Sequence, residues 1–112
     1  MVDIKQIEQA DISILVIVGE VDASSSIQLD AAIKEALDNG AKKVLIDCEN
    51  LEYISSAGLG VFMSYIEEMK NRNAKMIICN LNEKVQNVFQ ILGLDQLLTI
   101  VSDRKAGIAE FE

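Results

Sequence analysis

The 112-residue chain has no histidine, no proline and no tryptophan, and only two cysteines. Without histidine there can be no Ser-His-Asp triad, no imidazole acid–base chemistry and no His-ligated metal. Cys48 and Cys79 lie far apart inside apolar runs, so the paired spacing of a zinc site is missing. They read as small core residues of a protein kept in a reducing compartment. Long apolar runs are also lacking: the longest, Ile12 to Gly19, is too short to cross a bilayer. The opening MVDIKQIEQAD has neither a basic region nor a signal-type stretch, which points to a cytoplasmic protein without a membrane partner. Positive charge is scarce, with ten Lys and Arg against eighteen Asp and Glu, a net charge of −8. Such a chain repels phosphate backbones, so direct nucleic-acid binding is not expected.

What is present is globular. Half the residues are hydrophobic and no linker-like tract divides the chain, so a single domain over residues 1–112 is expected. Val2, Ile4 and Ile7 suggest a strand, reversed by the polar turn at Gln9, Ala10 and Asp11 into a second strand from Ile12 to Val18, an antiparallel pair. Gly19 to Asp22 is expected to end that strand, with Ser24, Ser25 and Ser26 as N-caps of a helix carrying Leu29, Ala32, Ile33 and Ala36 inward and stopping at Gly40. Val44 to Cys48 and Met76 to Cys79 read as short strands. Between them the spacing predicts a helix from about Ser56 to Asn71, with Leu59, Phe62, Met63, Ile66 and Met69 on its apolar face. A third helix bears Val85, Val88, Phe89 and Leu92 and stops at Gly93; Leu97 to Val101 reads as a last strand, and Asp103 as the cap of a final helix. This alternation predicts an α/β class with parallel crossovers, and its sites lie beyond the carboxyl ends of the strands. The loops of interest are therefore 19–23, 48–56 and 80–82.

Three features of those loops invite chemistry. Glu20, Asp22, Asp47, Glu49 and Glu52 would share one sheet end, either as a solvated rim or as a Mg²⁺ cluster around Asp47 as a phospho-acceptor. The Lys that such a receiver would want at the end of a later strand is missing. Gly58-Leu59-Gly60 begins like a dinucleotide loop, but Met63 stands where the third glycine belongs, and close helix packing is the better use of those glycines. Ser56 opens an amphipathic helix, where a serine normally caps. A phosphate there could equally be received by free N–H groups and the helix dipole, adding charge to an acidic rim. By helical angle, Gly58, Val61 and Tyr65 lie beside the core stripe and, if exposed, form an apolar edge next to Ser56.

Gly19-Glu20-Val21-Asp22, the run Leu51 to Val61 containing Ser55-Ser56-Ala57-Gly58-Leu59-Gly60, and Val85 to Leu94 ending in Gly-Leu occur in order. Together they resemble the STAS domain of bacterial anti-sigma factor antagonists over essentially the whole chain. The resemblance implies a small α/β domain with a mixed four- to five-stranded sheet and about four helices. It implies a non-enzymatic partner switch: the unphosphorylated form binds a serine-kinase anti-sigma factor and frees a sigma factor. Phosphorylation of the serine at Ser56 turns it off, and a metal-dependent serine phosphatase restores it. No cofactor or metal is implied for the chain itself. The expected partner-binding residues are Glu20, Asp22, Ser55, Gly58, Val61 and Tyr65. Two positions depart from the motif: Ser55 replaces its Asp, and Ala57 its second hydroxyl residue. Ser55 is thus a rival acceptor or the helix cap, and an unphosphorylated adaptor is the alternative function, with the Asp47 receiver behind it.

Overall fold

The computed structural model describes residues 2–111. Five strands form one mixed sheet in the order β1 (Val2–Gln9), β2 (Ile12–Val21), β3 (Lys43–Ile54), β4 (Lys75–Cys79) and β5 (Thr99–Val101). β1 and β2 pair antiparallel across the two-residue turn Ala10-Asp11, where Ala10 takes the positive φ of 55° that primed hairpin turns use. Every other neighbour is parallel, as crossovers through α1 (Ser26–Asp38), α2 (Ser56–Asn71) and α3 (Glu83–Ile91) require. α4 (Arg104–Glu110) follows β5.

The sheet divides two cores. On one face Leu15, Ile17, Val44, Ile46 and Ile78 meet α1, α2 and α3 through Leu29, Ile33, Leu59, Phe62, Val85 and Phe89. Phe62 and Phe89 join α2 to α3 with ring centroids 6.2 Å apart. Such a tilted pair stabilises by about 0.5–1.5 kcal/mol beyond its area burial. The other face, with Ile12, Ile14, Leu45, Ile77 and Cys79, is packed by Ile108 and Phe111 at the C-terminal end. Gly107 is what lets α4 approach: a Cβ there would stand 2.6 Å from Leu45 Cδ1.

Several elements differ from the sequence expectation. β2 does not stop at Val18, and β3 does not stop at Cys48: they run on together to Val21 and Ile54, with register shifts between Val16 and Val18 and between Gly19 and Glu20. Those irregularities absorb the extra residues of β3 and hide its alternation. β5 is shorter than expected because Gly93, at φ 74°, leads into a 3₁₀ turn, Leu94–Gln96, ahead of it. On the helices, Met63 and Leu92 point outward and Tyr65 inward, reversing their expected places. Ser24, Ser25 and Ser26 do not cap α1; Ser25 holds the cap position but its side chain makes no capping bond.

Candidate functional site

Because β4 ends opposite Asp47, the last part of β3 is paired with β2 alone. This two-stranded arm carries the β2–α1 loop and the start of α2 side by side. The two are tied directly by the Ser55 N–H donating to the Val21 carbonyl at 2.8 Å. Ser55, extended at φ −84° and ψ 171°, is the N-cap of α2, and its Oγ accepts from the Gly58 N–H at 3.2 Å. Ser56 is therefore the first helical residue, exposed and outside the capping bonds. Gly58 is buried where a Cβ would come within 2.7 Å of Ile54 Cγ1 and 2.8 Å of Val21 Cγ1. Only glycine lets the helix start so close to the strand ends.

The β2–α1 loop is organised by Asp22. Its Oδ1 accepts from the Ser25 N–H at 2.8 Å, from Ser25 Oγ at 2.8 Å and from Ser24 Oγ at 2.9 Å. The Asp22 N–H in turn donates to Ser25 Oγ at 2.8 Å. These bonds, from the Ser25 backbone and then its hydroxyl, bring the Asp22 carboxyl down to about 2. Glu20 is exposed and stands in register with Tyr53, itself 46% exposed.

The expected residues thus separate into two groups. Glu20, Asp22, Ser55 and Ser56 come together on adjoining loops. Gly58 and Tyr65 lie in the interior: Tyr65 is 5% exposed, and its hydroxyl donates to the Asp30 carbonyl at 3.2 Å, pinning α2 to α1. Burial, with the nearby Asp30, pushes the Tyr65 hydroxyl up to about 12. Val61 is half-buried against the same core. The apolar edge expected from Gly58, Val61 and Tyr65 is therefore corrected. The outward strip of α2 is Ser56, Ala57, Gly60, Met63 and Ser64. Met63 escaped the sequence reading because helical spacing alone places it within reach of the stripe through Leu59 and Ile66. Exposed Ile27, near the start of α1, adds a second apolar side chain on the neighbouring helix.

Asp47 does not join Glu20 and Asp22. It is 1% exposed and held by Arg104 (Nε to Oδ2 3.0 Å, Nη2 to Oδ2 2.9 Å), by Asn80 Nδ2 at 2.9 Å and by the Glu49 N–H at 3.1 Å. Burial raises its pKa, but the bonds from Asn80, Glu49 and Arg104 outweigh burial and hold the carboxyl below its ordinary range. Its oxygens are occupied within the fold. Among the described residues no three His, Cys, Asp or Glu side chains are placed to hold a metal ion, and no helix is long and apolar enough to cross a membrane. Cys48 and Cys79 are free and buried, and burial raises both thiols, Cys79 to about 12.

Residues 2–106 match the family model described as the STAS domain. BtrV of Bordetella bronchiseptica, named for anti-sigma factor antagonism, is 31% identical over 94 residues, spanning 84% of this chain and 81% of that protein. An anti-sigma factor antagonist structure from Thermotoga maritima superposes with a TM-score of 0.89 at 21% identity, covering 96% of this chain and 92% of that one. The Bacillus cell fate determinant SpoIIAA, solved in its phosphorylated form, superposes with a TM-score of 0.72 at 20% identity over the full length of both. The shared fold includes the mixed sheet and four helices described above.

Proposed function

Because the chain belongs to the STAS domain family, we propose that it is an anti-sigma factor antagonist switched by phosphorylation of Ser56. In this reading the unphosphorylated domain, residues 1–112, is a cytoplasmic binding module with no catalysis of its own. It docks a serine-kinase anti-sigma factor and frees a sigma factor. The kinase phosphorylates Ser56, and a metal-dependent serine phosphatase removes the phosphate.

The observation that carries this reading is the division of labour between two serines. Ser55 closes the helix, which leaves Ser56 exposed at the first helical position. A phosphate there adds roughly −1.5 to −2 charges beside free helical N–H groups, so the fold tolerates it. No Lys or Arg occurs between Lys43 and Lys70, while Glu20, Asp22 and Glu52 surround the arm. With no Lys or Arg nearby in sequence to offset it, the added charge acts on the partner by repulsion. The docking surface is the outward strip of α2 with Met63, flanked by Ile27 and Glu20. BtrV's name and the phosphorylated state of SpoIIAA support the same role.

A second reading rests on Ser55 and Ala57, which depart from the motif and leave an adaptor that is never phosphorylated. One experiment separates them: affinity capture from the native host with phosphopeptide mapping, using wild type, Ser56→Ala and Ser56→Asp. The switch requires phosphate on Ser56 and a kinase-like partner retained by wild type and Ser56→Ala but lost by Ser56→Asp. An unmodified peptide with identical partners for all three variants leaves the adaptor.

A further inference from the structure

We propose that the free edge of β1 is a self-recognition edge, through which two copies of the chain pair antiparallel about Ile4 into one continuous ten-stranded sheet. The strand is eight residues long, pairs with β2 without a register shift, and contains no proline, so none of those usual edge protections is present. Its backbone parity can be read from the hairpin. The pair Gln9↔Ile12 closes a two-residue turn and is hydrogen-bonded, so by alternation Ile7, Lys5 and Asp3 also bond to β2. The N–H and C=O groups of Val2, Ile4, Gln6 and Glu8 therefore face outward along the edge.

The side chains select one register. With Ile4 opposite Ile4 of the second copy, Val2 faces Gln6, and these pairs use the outward backbone groups. Asp3 then lies opposite the second copy's Lys5, and Lys5 opposite its Asp3, at non-hydrogen-bonded positions where side chains approach most closely. Both Asp3 and Lys5 are exposed and free to meet a partner. Moving the pairing to the registers on either side sets Asp3 against Asp3 or Lys5 against Lys5, which is unfavourable. On the opposite face, β1 and α1 leave an open groove of about 350 Å³ lined by Val2, Ile4, Ala31 and Ala32 together with the polar Gln28 and Glu35. The second copy's half-buried Ile4 would cover the part of that lining formed by Val2 and Ile4. Self-complementary charge, matched backbone parity and an uncovered groove all converge on a second copy of the same strand.

The test is sedimentation equilibrium over a concentration series into the millimolar range, on wild type, Asp3→Lys, Lys5→Asp and the double exchange. Wild type is expected to shift from 12.3 kDa toward twice that mass. Each single exchange turns two attractive pairs into like-charge pairs and weakens dimerisation about tenfold or more. The double exchange restores the pairs and is expected to recover dimerisation. Amide exchange gives an independent readout: the Ile4 and Gln6 amides slow with concentration, while the Glu8 amide, beyond the paired segment, does not. The proposal is overturned by a wild type that stays monomeric, by single exchanges that dimerise as tightly as wild type, by a double exchange that does not recover, or by dimers in which the Ile4 and Gln6 amides exchange as fast as Glu8. None of these variants touches Ser56, so the phosphorylation reading stands or falls separately.

Discussion

Ser55 shows how a motif can lose a residue and keep its structural job. Asp and Ser are both strong N-caps, because each offers an oxygen to a free N–H of the first turn. The Ser55 Oγ bond to the Gly58 N–H is that interaction. Ser55→Ala should therefore cost about 0.5–2 kcal/mol of stability, read as a lower urea midpoint, and Ser55→Asp should restore most of it. If the loss instead appeared at Ser56→Ala, the assignment of cap and acceptor would be reversed. Gly58→Ala is a sharper probe of the same corner, since its Cβ would meet Ile54 and Val21 at 2.7 and 2.8 Å. Such overpacking costs typically about 1–3 kcal/mol, and a variant as stable as wild type would show that α2 shifts freely on the arm. The sequence made Ser56 legible as a helix start, but not which serine capped. That choice depends on the turn geometry between Ile54 and Gly58. Tyr65 was misplaced for a related reason: its burial depends on the Asp30 carbonyl across the helix pair, a contact that helical spacing does not contain.

At the level of elements, the helices of the main face were legible because their apolar spacing is strong, and α2 runs from Ser56 to Asn71 as the spacing predicts. The extended arm of β2 and β3 was not. Glu49, Asn50 and Glu52 read as loop residues, and only pairing with β2 across two irregularities makes them strand. The role of Asp47 was equally hidden, because Arg104 is distant in sequence and reaches it only when α4 packs on the second face. That ion pair now defines how α4 is held. Arg104 is itself 38% exposed and Asp47 keeps its bonds from Asn80 and the Glu49 N–H, so Arg104→Ala should destabilise by about 1–3 kcal/mol near neutral pH. As pH falls through the lowered folded value of Asp47, its carboxyl becomes neutral in wild type as well, and the gap between the two proteins should narrow. Urea unfolding at neutral and acid pH measures both values; an equal deficit at the two would mean that lost packing of α4, rather than the charge, is responsible. Asp47→Asn should likewise lower stability while leaving serine phosphorylation in place. Loss of all labelling in that variant would revive the receiver reading.

For the molecule as a whole, the missing histidine shapes the pH response. No side chain has an ordinary pKa between about 5 and 8 when histidine is absent, so unfolding stability should be nearly flat across that window. The acid limit comes from Asp11, Asp22 and Asp47, whose carboxyls are all held below their usual value. A depressed carboxylate binds protons more readily in the unfolded chain. Its contribution is present above an unfolded pKa of about 3.9 and is lost as pH falls through the folded value. The alkaline limit has the opposite sign. Cys48, Cys79 and Tyr65 are raised by burial, so the folded state keeps protons that the unfolded thiols release from about pH 8.5 upward. Stability from these groups is complete below that pH and declines above it. A urea midpoint measured from pH 3 to 10 should therefore trace a plateau with two falling shoulders. Replacing both cysteines with alanine should flatten the shoulder between about pH 8.5 and 10, even though the core cavities lower the whole curve. A pronounced step between pH 5 and 8, or an alkaline shoulder unchanged in the cysteine-free variant, would mean that the stability of this fold is not governed by the buried groups named here.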